Sequence, residues 1–175
     1  MNLRIRAAQP GDAADLVALA SAVSAEPEGW LLADSRWRSV PDERRYIRAL
    51  RRHPDGALIV AEADGLVVGR LSIVRDPHPA SAHVADLGLM VAASHRRRGI
   101  GRALLASAET WARSACVAKL ELHVFPHNEP AIALFERFGF RREGYRAAHY
   151  LRGGEYLDAI LMACEVGTPT TPQAR

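Results

Sequence analysis

The chain opens on an alternation. Leu3, Ile5 and Ala7 are separated by Arg4 and Arg6, the period of a half-buried strand. Gln9-Pro10-Gly11-Asp12 breaks the pattern as a turn, and "AADLVALASAV" then repeats apolar residues at helical spacing, with Asp12 placed as its N-cap. "SAEPEGWLLADSRWRSV" has no clear period and contains Pro27 and Gly29, so it reads as a loop. "PDERRYIRALRRH" begins with proline and acids and ends in bases, the order the helix dipole favours, and predicts a second helix that stops before Pro54.

The pattern then turns to strands. "ALIVAEADGLVVGRLSIV" is two β-rich runs around Asp64-Gly65, a strong hairpin signal, and "HVADLGLMV" is a further strand. An apolar-periodic helix follows to about Arg113, then the strand "KLELHVF" and the helix "NEPAIALFERFGF", ending at Gly139. "RREGYRAAHYLRGGEYLDAILMACEV" predicts a last hairpin around Arg152-Gly153-Gly154. The order β-α-α-β-β-β-α-β-α-β-β mixes hairpins with helix crossovers. It predicts an α/β protein with one mixed, twisted sheet of about seven strands and helices on both faces. No internal repeat is visible. Residues 1–166 form one domain in this reading, and the polar, Pro/Thr-rich 167–175 is expected to be a disordered tail.

Composition narrows the class. At 175 residues, 49% hydrophobic and 25% charged, the chain has the profile of a single soluble domain. It has no apolar run of membrane-spanning length and no signal-peptide core, so a cytoplasmic protein without membrane contact is expected. Cys116 and Cys164 make no paired motif and read as buried structural thiols. The net charge of +3 comes almost wholly from arginine, Lys119 being the sole lysine. That charge is spread over several elements without aromatic–basic interleaving, which argues against nucleic acid.

One segment departs from ordinary patterning. "SHRRRGIGRALLASAETWARSA" places Arg96, Arg97, Arg98, Gly99 and Gly101 between a strand and a helix. Glycines let an anion approach the backbone, and the unpaired amides of a first helical turn point at it. The P-loop is excluded because no lysine and hydroxyl follow the second glycine, and the dinucleotide fingerprint lacks its third glycine.

Arg96-x-x-Gly99-x-Gly101, followed by "NEPAIALFERFGF" in the right order and separation, resembles the GNAT (Gcn5-related) N-acetyltransferases over essentially residues 3 to 165. The whole set of segments is similar in look to bacterial enzymes that acetylate free amino acids. The resemblance implies that "LGLMV" and "KLELHVF" splay apart and that the pantetheine of acetyl-CoA lies between them. Leu89, Met90 and Val91 would line that arm. Arg96, Arg97, Arg98, Gly99, Ile100, Gly101 and Arg102 would hold the phosphates, and Asn128 would touch the arm or the reaction centre. Each also has a plainer reading: a solvated charge for the arginines, a helix cap for Asn128.

The chemistry needs a neutral amine, an oxyanion donor and a departing thiolate. Many members of the resembling family carry a glutamate five residues before the asparagine and a tyrosine seven after it. Here those positions hold His123 and Phe135, so the simplest acid is missing. His123 and Asp86 are the base candidates, against packing or a strand-face acceptor role, and Tyr145 or Tyr150 is a substitute acid. No histidine spacing suits a metal, and direct transfer is preferred to an acyl-enzyme. In the loop, Glu26 and Glu28 are placed to draw an ammonium group, and Trp30 and Leu31 to receive an apolar side chain. The acceptor expected is a small primary amine such as an amino acid. A peptide N-terminus is the rival substrate, a catalytically weak CoA-binding sensor the rival class, and a homodimer the expected assembly.

Overall fold

The structure, a computed structural model, describes residues 2–31 and 37–167. Its elements are β1 (Leu3–Ala7), α1 (Ala13–Ser24), α2 (Val40–Arg52), β2 (Gly56–Ala63), β3 (Leu66–Arg75), β4 (Val84–Val91), α3 (Ile100–Ser114), β5 (Lys119–Val124), α4 (Glu129–Phe138), β6 (Arg141–Arg152) and β7 (Glu155–Glu165). The expected order of elements is the observed one. The strands form one seven-stranded sheet in the order β1-β2-β3-β4-β5-β7-β6. Every neighbouring pair is antiparallel except β4 and β5, which run parallel. The α3 crossover is what makes that parallel pair possible.

Strand alternation divides the core into two layers. Leu71, Ile73, Leu87, Leu120 and Leu122 face α3 and α4, where Ile100, Leu104, Leu105 and Phe135 meet them. On the other face Leu58 and Val60 pack under α1 and α2 beside Leu16 and Ile47, and Met90 packs against Leu19 and Val23. Because α1 and α2 sit over β2, β3 and β4, the same face of β5, β7 and β6 is left open.

Two local expectations are corrected. The Asp12 carboxylate does not cap α1. A single 3-10 turn, Pro10–Asp12, precedes the helix, and the carboxylate takes the Arg6 guanidinium and the Gln9 N–H instead. The cap that does form is Ser39, whose Oγ accepts from Asp42 N–H at the start of α2. Cys116 is exposed just past α3 rather than buried, whereas Cys164 is half-buried and burial pushes its thiol up to about 12. Most of the proposed tail, 168–175, lies outside the described residues. Among the described residues no helix is long and apolar enough to cross a membrane.

Candidate active site

The parallel pair is joined only at its start. Val84, Ala85 and Asp86 stand beside Lys119, Leu120 and Glu121, and pairing stops there. Backbone direction then follows from alternation. Ala92 N–H bonds Val68 O and Val84 O accepts from Asp76 N–H, so the even residues of β4 turn toward β3. The odd ones, Leu87, Leu89 and Val91, turn their amides and carbonyls into the gap. On β5, Ala118 O bonds Val166 N–H, so the even positions face β7 and His123 faces the gap. A buried backbone group needs a partner, and here a wedge of such groups is presented without one from the sheet.

Below the gap the chain makes a short 3-10 turn, Ala93–His95, and enters α3. Gly99 is the helix N-cap at φ +83°, a left-handed conformation that a side chain would strain. The first backbone bond of the helix runs from Ala103 N–H to Gly99 O at 3.0 Å, so the amides of Ile100, Gly101 and Arg102 precede it and point outward. These elements border a cavity of about 400 Å³, lined among others by Leu89, Met90, Val91, Arg96, Arg97, Gly99 to Arg102 and Asn128. Of the expected cofactor residues, Arg98 alone is not in that lining. Asn128 is buried and caps α4, its Oδ1 accepting from Ala131 N–H at 3.2 Å, while it also borders the cavity.

Two side-chain roles change. The Arg96 guanidinium is held by both carboxylate oxygens of Glu26, at 2.8 and 2.7 Å, and its Nε donates to Val91 O. Arg96 therefore spends its fork on tying the loop after α1 to the end of β4, and Glu26 is not free to draw an ammonium group. Glu28 is exposed, and its carbonyl meets the His127 ring at 3.0 Å. Arg152 donates to Gly29 O and Leu31 O from the hairpin between β6 and β7. Trp30 and Leu31 are thereby held over the cavity, which they line.

The open face beyond the gap carries the titratable groups. Asp86, at the point where the strands part, is exposed along the open face, with its carboxyl against the sheet. Burial, then the Glu121 charge beside it, push its carboxyl up to about 6, against a smaller opposing pull from Arg146. His123 lies two residues beyond Glu121 on the same face. Burial, Arg146 and His149 hold its ring below the ordinary imidazole range, and its buried Nε2 has no partner among the described residues. Tyr150 stands edge-on to His123 at 6.2 Å and to His149 at 4.7 Å. Burial and the Asp86 charge push its phenol up, so it stays protonated at neutral pH. Tyr145 is excluded as its equivalent, because its hydroxyl is exposed and donates to Asp158. Phe135 is buried against Phe140 in the core, so α4 brings no acid to the site.

Glu121, Arg146 and His149 were not singled out from the sequence. A break in the β6–β7 register brings the last two in. Arg146 pairs with Ala159 and Tyr150 with Leu157, with Ala148 between them at φ +51° and its N–H held by Asp158. Nothing in "YRAAHYLR" announces that bulge.

The geometry defines a sheet opened between two parallel strands above an amide-rich helix start, with a carboxyl, an imidazole and a phenol on one side. A model of the acetyltransferase (GNAT) family matches residues 24–140. The chain is 37% identical to the L-amino acid N-acetyltransferase AaaT of Escherichia coli (strain K12), over 70% of this chain and 76% of that protein. It superposes on the ribosomal-protein-alanine N-acetyltransferase from Brucella melitensis with a TM-score of 0.82 at 28% identity, covering 93% of this chain and 99% of that one. The fold is also that of yncA, a putative acetyltransferase from Salmonella typhimurium solved with its cofactor acetyl-CoA. That TM-score is 0.85 at 21% identity, with both chains covered in full. The chain belongs to the GNAT acetyltransferase family and is an N-acetyltransferase of that kind.

Proposed function

We propose that this chain transfers the acetyl group of acetyl-CoA to the primary amine of a free amino acid by direct attack. The observation that carries the amino-acid reading is its likeness to an L-amino acid N-acetyltransferase across most of both chains. Pantetheine would run along β4 and pair with the gap-facing groups of Leu87 and Leu89, and the α3 amides with Arg97 and Arg102 would receive the phosphates. The amine nitrogen bonds to the acetyl carbon and the carbon–sulfur bond breaks. The amine's proton passes to Asp86, directly or through one water, and the departing thiolate takes a proton from Tyr150. His123, its ring held below the ordinary imidazole range, would offer its unpartnered Nε2 as an acceptor beside them.

Thiol release from acetyl-CoA against a panel of amines tests this. Release that depends on a free amino acid is expected. Release with peptide N-termini alone would move the reading toward the ribosomal-protein enzymes, of which one is a structural neighbour. Tight acetyl-CoA binding with no release would make the protein a sensor.

Gly101 supplies a separate check on the cofactor end. A Cβ there would come within 2.7 Å of the Leu134 Cδ2 methyl on α4, so a larger side chain displaces that cavity-lining methyl rather than meeting the phosphates directly. Gly101→Val is expected to weaken acetyl-CoA binding about tenfold in calorimetry, through the displaced wall of the cavity. An unchanged affinity would remove α3 from the phosphate site.

A further inference from the structure

Arg70 lies on β3 opposite Met90, so its side chain shares the face of Gly88 and Asp86. It is a buried cation, its side chain 6% exposed, with Glu43 and the Tyr46 hydroxyl nearby but no close ion pair. Its Nη1 donates to Ser72 Oγ at 3.2 Å, but its Nε has no partner among the described residues. Glu43 Oε1 is 3.8 Å from that Nε, beyond hydrogen-bond range, and it too has no partner among the described residues. The other Glu43 oxygen meets Arg38 at a loose 3.4 Å. Two guanidiniums thus share one carboxylate, and neither holds it closely. The Trp37 ring lies 5.0 Å from the Arg70 guanidinium and 5.8 Å from that of Arg38, and its buried indole N–H has no partner among the described residues either. Native proteins rarely bury donors in this state, because each gives up water and gains nothing.

The cluster reaches the parted strands through Gly88. Ser72 stands opposite it, and a Cβ at Gly88 would sit 3.3 Å from Ser72 Oγ. Gly88 is exposed, so only bare backbone separates the gap from the Ser72–Arg70 pair. Asp86 is two residues along on the same face.

We propose that Arg70 and the indole N–H of Trp37 receive the carboxylate of the acceptor, so that the substrate is a free α-amino acid recognised at both of its charged ends. The inference rests on the amine-acetylation reading above and adds the residues that select the substrate. An α-amino acid holds its carboxylate one carbon away from its amine. A carboxylate at Arg70 therefore leaves the amine beside Gly88 and Asp86, where the thioester is attacked. It also supplies the second negative charge that two guanidiniums lack. A polyamine or an internal peptide residue brings no such group and meets an excess of positive charge.

The test compares thiol release with L-leucine and L-phenylalanine against their carboxamides, L-leucinamide and L-phenylalaninamide. The wild-type enzyme is expected to prefer the acids through KM. Arg70→Met is expected to raise KM for the acids roughly ten- to a hundredfold, leaving the amides and acetyl-CoA unchanged. Trp37→Phe keeps the ring and removes only the N–H, so it is expected to do the same to a smaller degree, and it carries the test if Arg70→Met does not fold. Equal use of acids and amides by the wild type, or equal loss on both in the variants, overturns the carboxylate site and leaves amine acetylation standing. Absence of release with every amine overturns both.

Discussion

Asp86→Asn is expected to lower kcat/KM by roughly a hundredfold or more, the usual contribution of a positioned general base. The carboxyl stands at the last paired position before β4 and β5 separate, next to the place where an acetyl group threaded through the gap would meet its amine. With its carboxyl pushed up to about 6, the wild type is expected to lose kcat/KM as pH falls through 6, and the asparagine variant to lack that limb. The same shift has a consequence for stability. The folded pKa lies above that of an unfolded aspartate, so the fold favours the protonated form. That contribution is fully present below about pH 4 and is lost as pH rises through 6. At pH 7.5 the variant is therefore expected to melt no lower than the wild type. A fall in activity with an equal fall in melting temperature would mark Asp86 as structural. His123→Ala separates the two bases, since a loss confined to it shifts the role across the gap. If neither change costs more than a few-fold, positioning of the substrate carries the rate.

Glu43→Ala is expected to destabilise the fold by about 3 to 5 kcal/mol, the cost of leaving a buried charge without its counter-ion. In a domain of this size that is a fall of about 10 °C in melting temperature. Glu43 is on α2 with no exposed surface, between Arg38 and the buried Arg70. Burial already pulls the Arg70 guanidinium below its ordinary pKa, and the Glu43 charge is the chief force opposing that. Removing the acid leaves the desolvation without the compensation. Glu43→Ala combined with Arg70→Met is expected to recover part of the loss, because no unmatched charge remains. A single variant within about 1 kcal/mol of wild type in urea denaturation would show the pair to be energetically idle.

The fold was almost wholly legible because its signals are local. Asp64-Gly65 makes the β2–β3 turn, the dipole-ordered charges of "PDERRYIRALRR" lie on α2, and the two motifs at Arg96 and Asn128 bracket β5. Most residues expected at the cofactor end border one cavity for the same reason: Gly99, Gly101 and the strand before them are neighbours in sequence. The acceptor side was not legible in this way. Its proposed groups come from β3, β4, β5 and β6, and they meet only when strands well separated in sequence pair. Glu26 and Arg96 illustrate the difficulty. Each read alone as a charge awaiting a ligand, and only the folded chain reveals that they neutralise each other. The Ala148 bulge was hidden for a different reason, since two alanines flanked by polar residues give no sign of broken register.

The three register pairs between β4 and β5 are the whole of the hydrogen-bonded seam between the four-stranded and three-stranded portions of the sheet. Beyond that seam the two portions stand like the leaves of a book opened from its spine. Whatever enters bonds to one leaf or both and is counted in the folding equilibrium as well as the binding one. Occupancy and rigidity are therefore a single thermodynamic variable here, and the protein is most completely itself when charged with its donor.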